Sequence, residues 1–232
     1  MLPEPRRPSH LSPLALRCLE MLAERGLGGQ VSIGGAVGLL HFLDYRSTMD
    51  LDAWWSKEAR STDRLQVEET IQAALSPDGS VRIRRWGDVV SIELVERDKK
   101  VFSFQVADRT SQLEPSIQLP WISVAMDTWN DLVASKMVAL VERGAPRDFR
   151  DIHAVCRAGL ITPDVCWKLW RTKQLLNEQE PSATRARLSI ESHLARLSRL
   201  RPLAGISDAD ERQAAASLRE FFATEVLDAL VD

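Results

Sequence analysis

The spacing of apolar residues divides the chain near Asp127. Before this residue, short apolar runs rich in β-branched side chains predict strands, and segments whose apolar residues recur every three or four positions predict amphipathic helices. The predicted elements of this part are helices at 14–25, 36–43 and 62–75, strands at 31–33, 48–55 and 121–125, and a three-stranded β-meander within 81–107.

After Asp127 the helical spacing continues to the end of the chain, and glycine and proline residues separate one helix from the next. The predicted helices cover 127–143, 147–158, 163–177, 182–200 and 208–231. The pattern predicts an α/β (α+β) protein with a small mixed β-sheet core and flanking helices at 1–126. An all-helical C-terminal domain at 127–232 follows, and we expect a cleft between the two.

Composition narrows the class of protein. The 232 residues suit one large or two small domains, with 44% hydrophobic residues to form a core, and the net charge of −3 does not by itself indicate nucleic-acid binding. No apolar run approaches the roughly 18 residues of a membrane span, and we expect no secretory signal. Cys18, Cys156 and Cys166 form no CxxC pair. We therefore expect a cytoplasmic protein without a disulfide framework, a zinc site or a membrane partner.

Two aspartates lie inside an apolar strand. Asp50 and Asp52 are two positions apart, so their carboxylates point to the same face of an extended strand. Such carboxylates are costly to bury unless a cation pairs with them, and Mg²⁺ is held by one or two carboxylates together with substrate phosphates. The spacing indicates a metal site. The alternative is an edge-strand pair neutralised by Arg46 or Arg60.

A glycine pair connects a predicted strand to a predicted helix. Gly34 and Gly35 carry no side chains, so their backbone N–H groups can approach a phosphate closely at the start of the helix. An ordinary tight connection is the alternative, because this pattern alone is not specific.

Two further candidates lie in the helical part. Lys136 falls on the apolar stripe of its helix, so it either extends along the stripe to the rim or directs its ammonium into a cleft, as a phosphate ligand would. Asp148 and Asp151 share one stripe of the next helix. Acidic residues are also favoured in a first helical turn by the helix dipole, so a structural role is the alternative for them.

Charge is unevenly distributed among the last helices. The stretch from Lys168 to Arg201 contains eight Lys and Arg residues and three Glu. The stretch from Pro202 to Asp232 contains two Arg and seven Asp and Glu residues. A phosphate-facing surface beside an acidic helix is one interpretation, and solvated helix faces that pair with each other are the other.

Together these segments resemble the AbiEii toxin-type nucleotidyltransferases, members of the DNA-polymerase-β-like nucleotidyltransferase superfamily. The matching stretches are GGAVGLLHFLDYRSTMDLD at 34–52 and DLVASKMVALVERGAPRDFRDI at 131–152. The resemblance covers about residues 15–160, and four elements in the same order are more specific than any one of them.

The resemblance implies a role for each matched position. Asp50 and Asp52 would bind Mg²⁺, and Lys136 would contact the phosphates of the NTP substrate. The remaining positions would complete the nucleotide site: Gly34 and Gly35 by backbone contacts with the triphosphate, Arg46 and Ser47 before the aspartates, and Asp148 with Asp151 behind it. The implied role is the toxin of a toxin–antitoxin pair that transfers an NMP to RNA, with tRNA the expected acceptor and an antitoxin as partner.

Some positions depart from the family pattern. Ala36 stands where a hydroxyl residue is usual, and Met49 where a polar one is common. Many superfamily members carry a third carboxylate on a later strand, which activates the acceptor hydroxyl. Here Gln105 stands at the expected place, and Glu93 is a possible substitute. A small-molecule (antibiotic-type) nucleotidyltransferase and a catalytically degenerate binding protein are therefore alternatives.

Overall fold

The computed structural model describes residues 2–109 and 111–231, and it confirms the α+β class. The helices are α1 Pro13–Glu24, α2 Gly35–Leu40, α3 Ser61–Leu75, α4 Trp129–Glu142, α5 Pro146–Arg157, α6 Pro163–Leu176, α7 Ala183–Leu200 and α8 Ala209–Phe221. The strands are β1 Val31–Ile33, β2 Asp50–Trp55, β3 Ser80–Trp86, β4 Val89–Glu96, β5 Lys99–Ala107, β6 Ile117–Gln118 and β7 Ala125–Met126.

Within the described residues the strands form one mixed sheet of seven, in the order β3-β4-β5-β2-β1-β7-β6. The meander β3-β4-β5 is antiparallel throughout, whereas β2 runs parallel to β5 and antiparallel to β1. β2 is therefore a central strand. A strand in this position is held by backbone hydrogen bonds on both sides, which fixes the direction of its side chains.

One face of this sheet is covered by helices. Side chains of α1 and α3, among them Leu19 and Ile71, pack in one apolar cluster with Leu51 of β2 and Phe104 of β5. The opposite face carries polar side chains from the same strands, because successive residues of a strand alternate between its faces. The polar face is the one that holds the two aspartates of β2.

The prediction of a strand at 121–125 is wrong. Its apolar residues instead form a loop that is closed by hydrogen bonds from Leu119 N–H to Val124 O (3.0 Å) and from Val124 N–H to Ile122 O (2.8 Å). β6 and β7 flank this loop as a short antiparallel pair. Trp121 and Ile122 are apolar because they pack against the core from the loop, so their pattern resembles that of a strand.

The chain divides into two compact units, Met1–Leu132 and Val133–Asp232. The first contains the sheet, and the second is helical as expected. In the second unit, Phe149 of α5 packs edge-to-face on Phe222 with ring centroids 4.7 Å apart. Trp167 of α6 donates its indole N–H to Val226 O at 2.7 Å, which ties α6 to the residues after α8. No helix among the described residues is long and apolar enough to cross a bilayer.

Candidate active site

The two aspartates of β2 lie on the polar face of the sheet. Asp50 and Asp52 are partly exposed, and they alternate with Leu51 and Ala53, which are buried. The parallel register places Asp50 beside Ser103 of β5 and Asp52 beside Gln105 of the same strand. The same-face geometry expected from their spacing is therefore present.

Asp50 is held by two neighbours on β5. Ser103 Oγ donates a hydrogen bond to Asp50 Oδ1 at 2.6 Å, and Lys100 Nζ lies 2.9 Å from the same oxygen. Lys100 also donates to Ser103 Oγ at 3.1 Å, so the three groups form a closed triangle. Neither Lys100 nor Ser103 was among the candidates from the sequence pattern. Ser103 could have been found from strand alternation, because in Val101–Val106 it lies on the face opposite Phe102 and Phe104.

The glycine pair contacts this strand directly. Gly34 N–H donates to the carbonyl of Asp52 at 2.9 Å, and Gly35 begins α2 with φ +56°. A Cβ on Gly35 would collide with Asp52 Oδ2 and would lie 2.9 Å from Asp52 Cγ. The glycine is therefore required by the neighbouring carboxylate as well as by its own backbone conformation.

Arg46 and Ser47 lie in the irregular segment between α2 and β2. Arg46 NH1 donates to the carbonyl of Ser47 at 3.1 Å, and its guanidinium lies 5.8 Å from the centre of the Tyr45 ring. Ser47 is exposed. Both residues precede the aspartates in the chain, and their role toward a nucleotide stays a prediction.

The register of β2, β5 and β4 shows which residues lie where a third carboxylate is expected. Gln105 is the residue opposite Asp52 on β5, and the described strand β5 contains no acid. Glu93 lies one strand further away, on β4 opposite Ser103. It is 4% exposed and accepts hydrogen bonds from Arg82 at 2.7 and 3.0 Å. Glu93 is thus an arginine-paired carboxylate rather than a partner of Asp52 in this register.

In the second unit, Lys136, Asp148 and Asp151 form one buried cluster. Lys136 is 7% exposed, and its ammonium lies 2.9 Å from Asp151 Oδ2 and 3.3 Å from Asp148 Oδ1. Arg143 closes the cluster, with Nε and NH2 donating to the two oxygens of Asp148 at 2.8 and 2.9 Å. Two cations therefore face two fully buried carboxylates, which is the neutral arrangement that a dry interior requires.

The contacts within this cluster lower the pKa of Asp148. Burial on its own raises the pKa of Asp148, but the hydrogen bonds from Arg143 and the charge of Lys136 outweigh it and hold that pKa below its ordinary value. Asp148 is therefore a carboxylate at neutral pH.

Several basic side chains of the 168–201 stretch are engaged within the helical unit. Arg187 donates to Leu227 O at 2.6 Å, Arg196 donates to Arg143 O at 2.7 Å, and Arg201 pairs with Glu211 at 2.5 Å. These contacts support helix-to-helix pairing for those three arginines. In the same unit the thiols of Cys156 on α5 and Cys166 on α6 lie with their sulfur atoms 3.9 Å apart.

The aspartate pair fits a hard divalent cation. Asp50 and Asp52 offer carboxylate oxygens on one accessible face, and Asp50 already attracts the ammonium of Lys100. No group of three or more His, Cys, Asp or Glu side chains suited to a metal occurs among the residues that the structure describes. Mg²⁺ shared with substrate phosphates requires only one or two carboxylates, so the residues present are sufficient for it.

Comparison with known proteins defines the class. The sequence model of the family described as "Nucleotidyl transferase AbiEii toxin, Type IV TA system" matches residues 17–231. The protein is a nucleotidyltransferase. The chain belongs to the AbiEii family of such enzymes, as the motifs predicted, and this family implies a nucleotide substrate and an antitoxin partner.

The other comparisons add little. No curated protein matches the chain. A solved structure, described as an antigenic nucleotidyltransferase-like protein from Paracoccidioides brasiliensis, is similar with 13% identity and a TM-score of 0.41. The similarity covers 90% of this chain and 94% of that one.

Proposed function

We propose that this nucleotidyltransferase moves an NMP from an NTP to an acceptor hydroxyl or phosphate, with release of pyrophosphate, at the polar face of β2. The observation that carries the proposal is the pair Asp50 and Asp52 on one face, with Gly35 in contact with the second carboxylate. Asp50 and Asp52 would hold Mg²⁺, which when bound neutralises negative charge on the phosphates during transfer.

The surrounding residues have defined tasks in this proposal. Ser103 fixes the orientation of Asp50, because its hydroxyl donates to the carboxylate at 2.6 Å. Lys100 lowers the negative charge at the site before substrate arrives. Gly35 would act by leaving the Asp52 carboxylate its place at the start of α2, next to where the triphosphate would lie. Gln105 cannot accept a proton, so a phosphate acceptor, which needs no base, is compatible with this face.

The buried cluster of Lys136, Asp148 and Asp151 in the second unit also has a role in this proposal. Lys136 would contact the nucleotide phosphates, with Asp148 and Asp151 positioning its ammonium. The support is that both carboxylates contact Lys136 at 3.3 Å or less, while Arg143 compensates the second negative charge. Exchange of one carboxylate partner for a phosphate oxygen would keep the ammonium paired.

We further propose that the acceptor is RNA, with tRNA as the first candidate. The polar face continues from β2 across β5 and β4 to β3, where Arg82, Arg84 and Trp86 occupy the rows of Asp50, Asp52 and Trp54. The two arginine side chains are 53% and 59% exposed and share one carboxylate, that of Glu93, and Arg84 lies 5.7 Å from the centre of the exposed Trp86 ring. Exposed cations with an aromatic ring are typical of single-stranded nucleic-acid surfaces.

Incubation of the full chain with each labelled NTP, Mg²⁺ and total RNA tests the proposal. We expect label on RNA with the wild-type chain and none with Asp52→Asn, while Asp98→Asn, an exposed turn carboxylate of the same sheet, keeps full transfer. Label on small molecules but not on RNA would favour an antibiotic-type acceptor. Transfer that persists in Asp50→Asn and Asp52→Asn would contradict the proposed site.

The toxin role has a separate test. Induced expression of the wild-type chain should arrest growth of a bacterial host, and Asp52→Asn should not, because toxicity would come from the transfer reaction. Equal arrest by both chains at matched protein levels would separate toxicity from catalysis.

A further inference from the structure

The aspartate pair of β2 has a positive charge beside it that comes from the chain itself. Lys100 Nζ lies 2.9 Å from Asp50 Oδ1 and donates to Ser103 Oγ at 3.1 Å, while Ser103 Oγ donates to the same Asp50 oxygen at 2.6 Å. The lysine side chain is 39% exposed, yet its ammonium is held by two acceptors from two neighbouring strands. Two contacts give the flexible side chain a defined place at this carboxylate.

The position opposite Asp52 carries no charge. Gln105 lies there in the register of β2 and β5, and its Nε2 donates to Ser103 Oγ at 3.3 Å. Ser103 thus accepts from an amide and an ammonium, and its own proton is directed at Asp50. On β2 and β5 the aspartate pair is therefore accompanied by one ammonium and one neutral amide, in place of a third carboxylate.

These charges differ from those of a two-metal site. In such a site two divalent ions stabilise the attacking and the leaving oxygen of a phosphoryl transfer. Three carboxylates with two Mg²⁺ carry one net positive charge, and two carboxylates with one ammonium and a single Mg²⁺ carry the same. A second Mg²⁺ beside the ammonium would raise the net charge to three, which repulsion at short distance disfavours.

We propose that Lys100 supplies the charge that a second divalent cation provides in two-metal sites, so that this site binds a single Mg²⁺ together with the NTP. The inference rests on the proposed function, because it concerns the metal of the same transfer. The ammonium keeps Asp50 Oδ1 neutralised whether or not the metal is bound. Its contacts with Asp50 and Ser103 use two of its three N–H donors, and within the described residues the third is left for a substrate oxygen.

The number of bound ions tests this role without reference to activity. The full chain is titrated with Mn²⁺, which takes the same oxygen ligands as Mg²⁺, and free Mn²⁺ is followed by electron paramagnetic resonance. One arm contains an equimolar non-hydrolysable NTP analogue, and the other contains no nucleotide. We expect one Mn²⁺ per wild-type chain with the analogue.

Lys100→Met removes the ammonium. Without nucleotide this variant should bind Mn²⁺ about tenfold more tightly than wild type does, because the ion no longer meets a positive charge at Asp50. Lys99→Met is the matched control: Lys99 precedes Lys100 on β5, is exposed and lies opposite Glu96 of β4. It removes the same net charge and should leave Mn²⁺ affinity unchanged. A purely structural role of Lys100 would not make Mn²⁺ binding tighter.

Two further variants complete the test. Lys100→Arg keeps the charge and should keep one Mn²⁺ per chain, whereas Lys100→Met with Gln105→Glu restores a third carboxylate and should bind two with the analogue. Two ions on the wild-type chain, one ion on the double variant, or no tighter binding by Lys100→Met would overturn the role of Lys100.

The RNA-labelling assay reports independently on the reaction. Transfer by a wild-type chain that binds two Mn²⁺ refutes only the role of Lys100. One bound ion and tighter binding by Lys100→Met, without any transfer, refute only the proposed reaction. No Mn²⁺ bound to the wild-type chain with the analogue would overturn both the role of Lys100 and the metal site at Asp50 and Asp52.

Discussion

Gly35 and Asp52 are in direct contact: a side chain on the glycine would occupy the space of the aspartate carboxylate. The contact connects the glycine pair to the aspartate pair, two motifs that lie 17 positions apart in the sequence. It follows that the conformation of the Asp52 carboxylate depends on the absence of a Cβ at the start of α2.

Gly35→Ala should therefore displace Asp52 and lower the rate of nucleotide transfer by about tenfold or more, since misplacement of about 1 Å can cost two orders of magnitude. Gly26→Ala is the matched control: Gly26 also has a positive φ, of +68°, but a Cβ there meets nothing within 4 Å. Both variants carry backbone strain of about 1–2 kcal/mol, measurable by urea unfolding. Equal transfer rates in the two variants would refute the steric role of Gly35.

Ser103→Ala should reduce transfer and weaken the apparent affinity for Mg²⁺, because Asp50 loses the hydroxyl that orients it. We expect a reduction of about three- to tenfold, as for the loss of a hydrogen bond to a charged group. Ser91→Ala removes a hydroxyl on the same face, one strand away, that contacts Glu93 at 3.4 Å. It should leave the Mg²⁺ titration of the transfer rate unchanged, and a similar loss in both would point to a general effect on the sheet.

Lys136→Met should destabilise the fold by about 3–5 kcal/mol, because it removes a cation that contacts two buried carboxylates, Asp148 and Asp151. Asp151→Asn added to Lys136→Met should recover part of this loss, with a coupling of about 0.5–3 kcal/mol in a double-mutant cycle of urea unfolding. NTP binding separates structure from function. If the stabilised double variant binds NTP as tightly as wild type does, Lys136 has no phosphate role.

The low pKa of Asp148 predicts a pH dependence of stability. A carboxylate whose pKa is lower in the folded state than in the unfolded chain stabilises the fold above its unfolded pKa, and this contribution disappears as pH falls through the folded pKa. The difference in unfolding free energy between wild type and Asp148→Asn should thus shrink below about pH 4. Urea unfolding between neutral pH and about pH 3 measures it. A difference that is constant across this range would contradict the shift.

The exposed side chains Arg82, Arg84 and Trp86 of β3 predict that substitutions there change the KM for the RNA acceptor. Arg84→Gln should raise the KM for RNA several-fold, and the effect should weaken at high salt, because phosphate contacts are screened. Arg85→Gln is the matched control, since Arg85 is the next residue of β3 and so points to the opposite face. Each arginine lies near one glutamate, Arg84 near Glu93 at 3.9 Å and Arg85 near Glu68. The two variants have the same net charge. An equal rise in the KM for RNA in both variants would show that RNA affinity depends on net charge and not on the sheet face that carries Arg84.

Local sequence patterns predicted most of the elements because their signals are local. The meander at 81–107 and the five later helices follow from periodicity, glycine and proline positions. The loop at 119–124 was missed, because Trp121 and Ile122 are partly buried against the core by tertiary packing without belonging to a strand. Apolar character reports burial, and burial alone does not distinguish a strand from a packed loop.

The sequence by itself determined the family, the α+β class and the same-face placement of Asp50 and Asp52, since strand alternation follows from backbone geometry. Tertiary structure decided the partners. The parallel pairing of β2 with β5 brings Lys100 and Ser103 to Asp50 and places Gln105 opposite Asp52. Helix packing gives Lys136 its two carboxylates. These contacts join residues distant in the chain, and only strand register and packing, which no local pattern encodes, determine which of them meet.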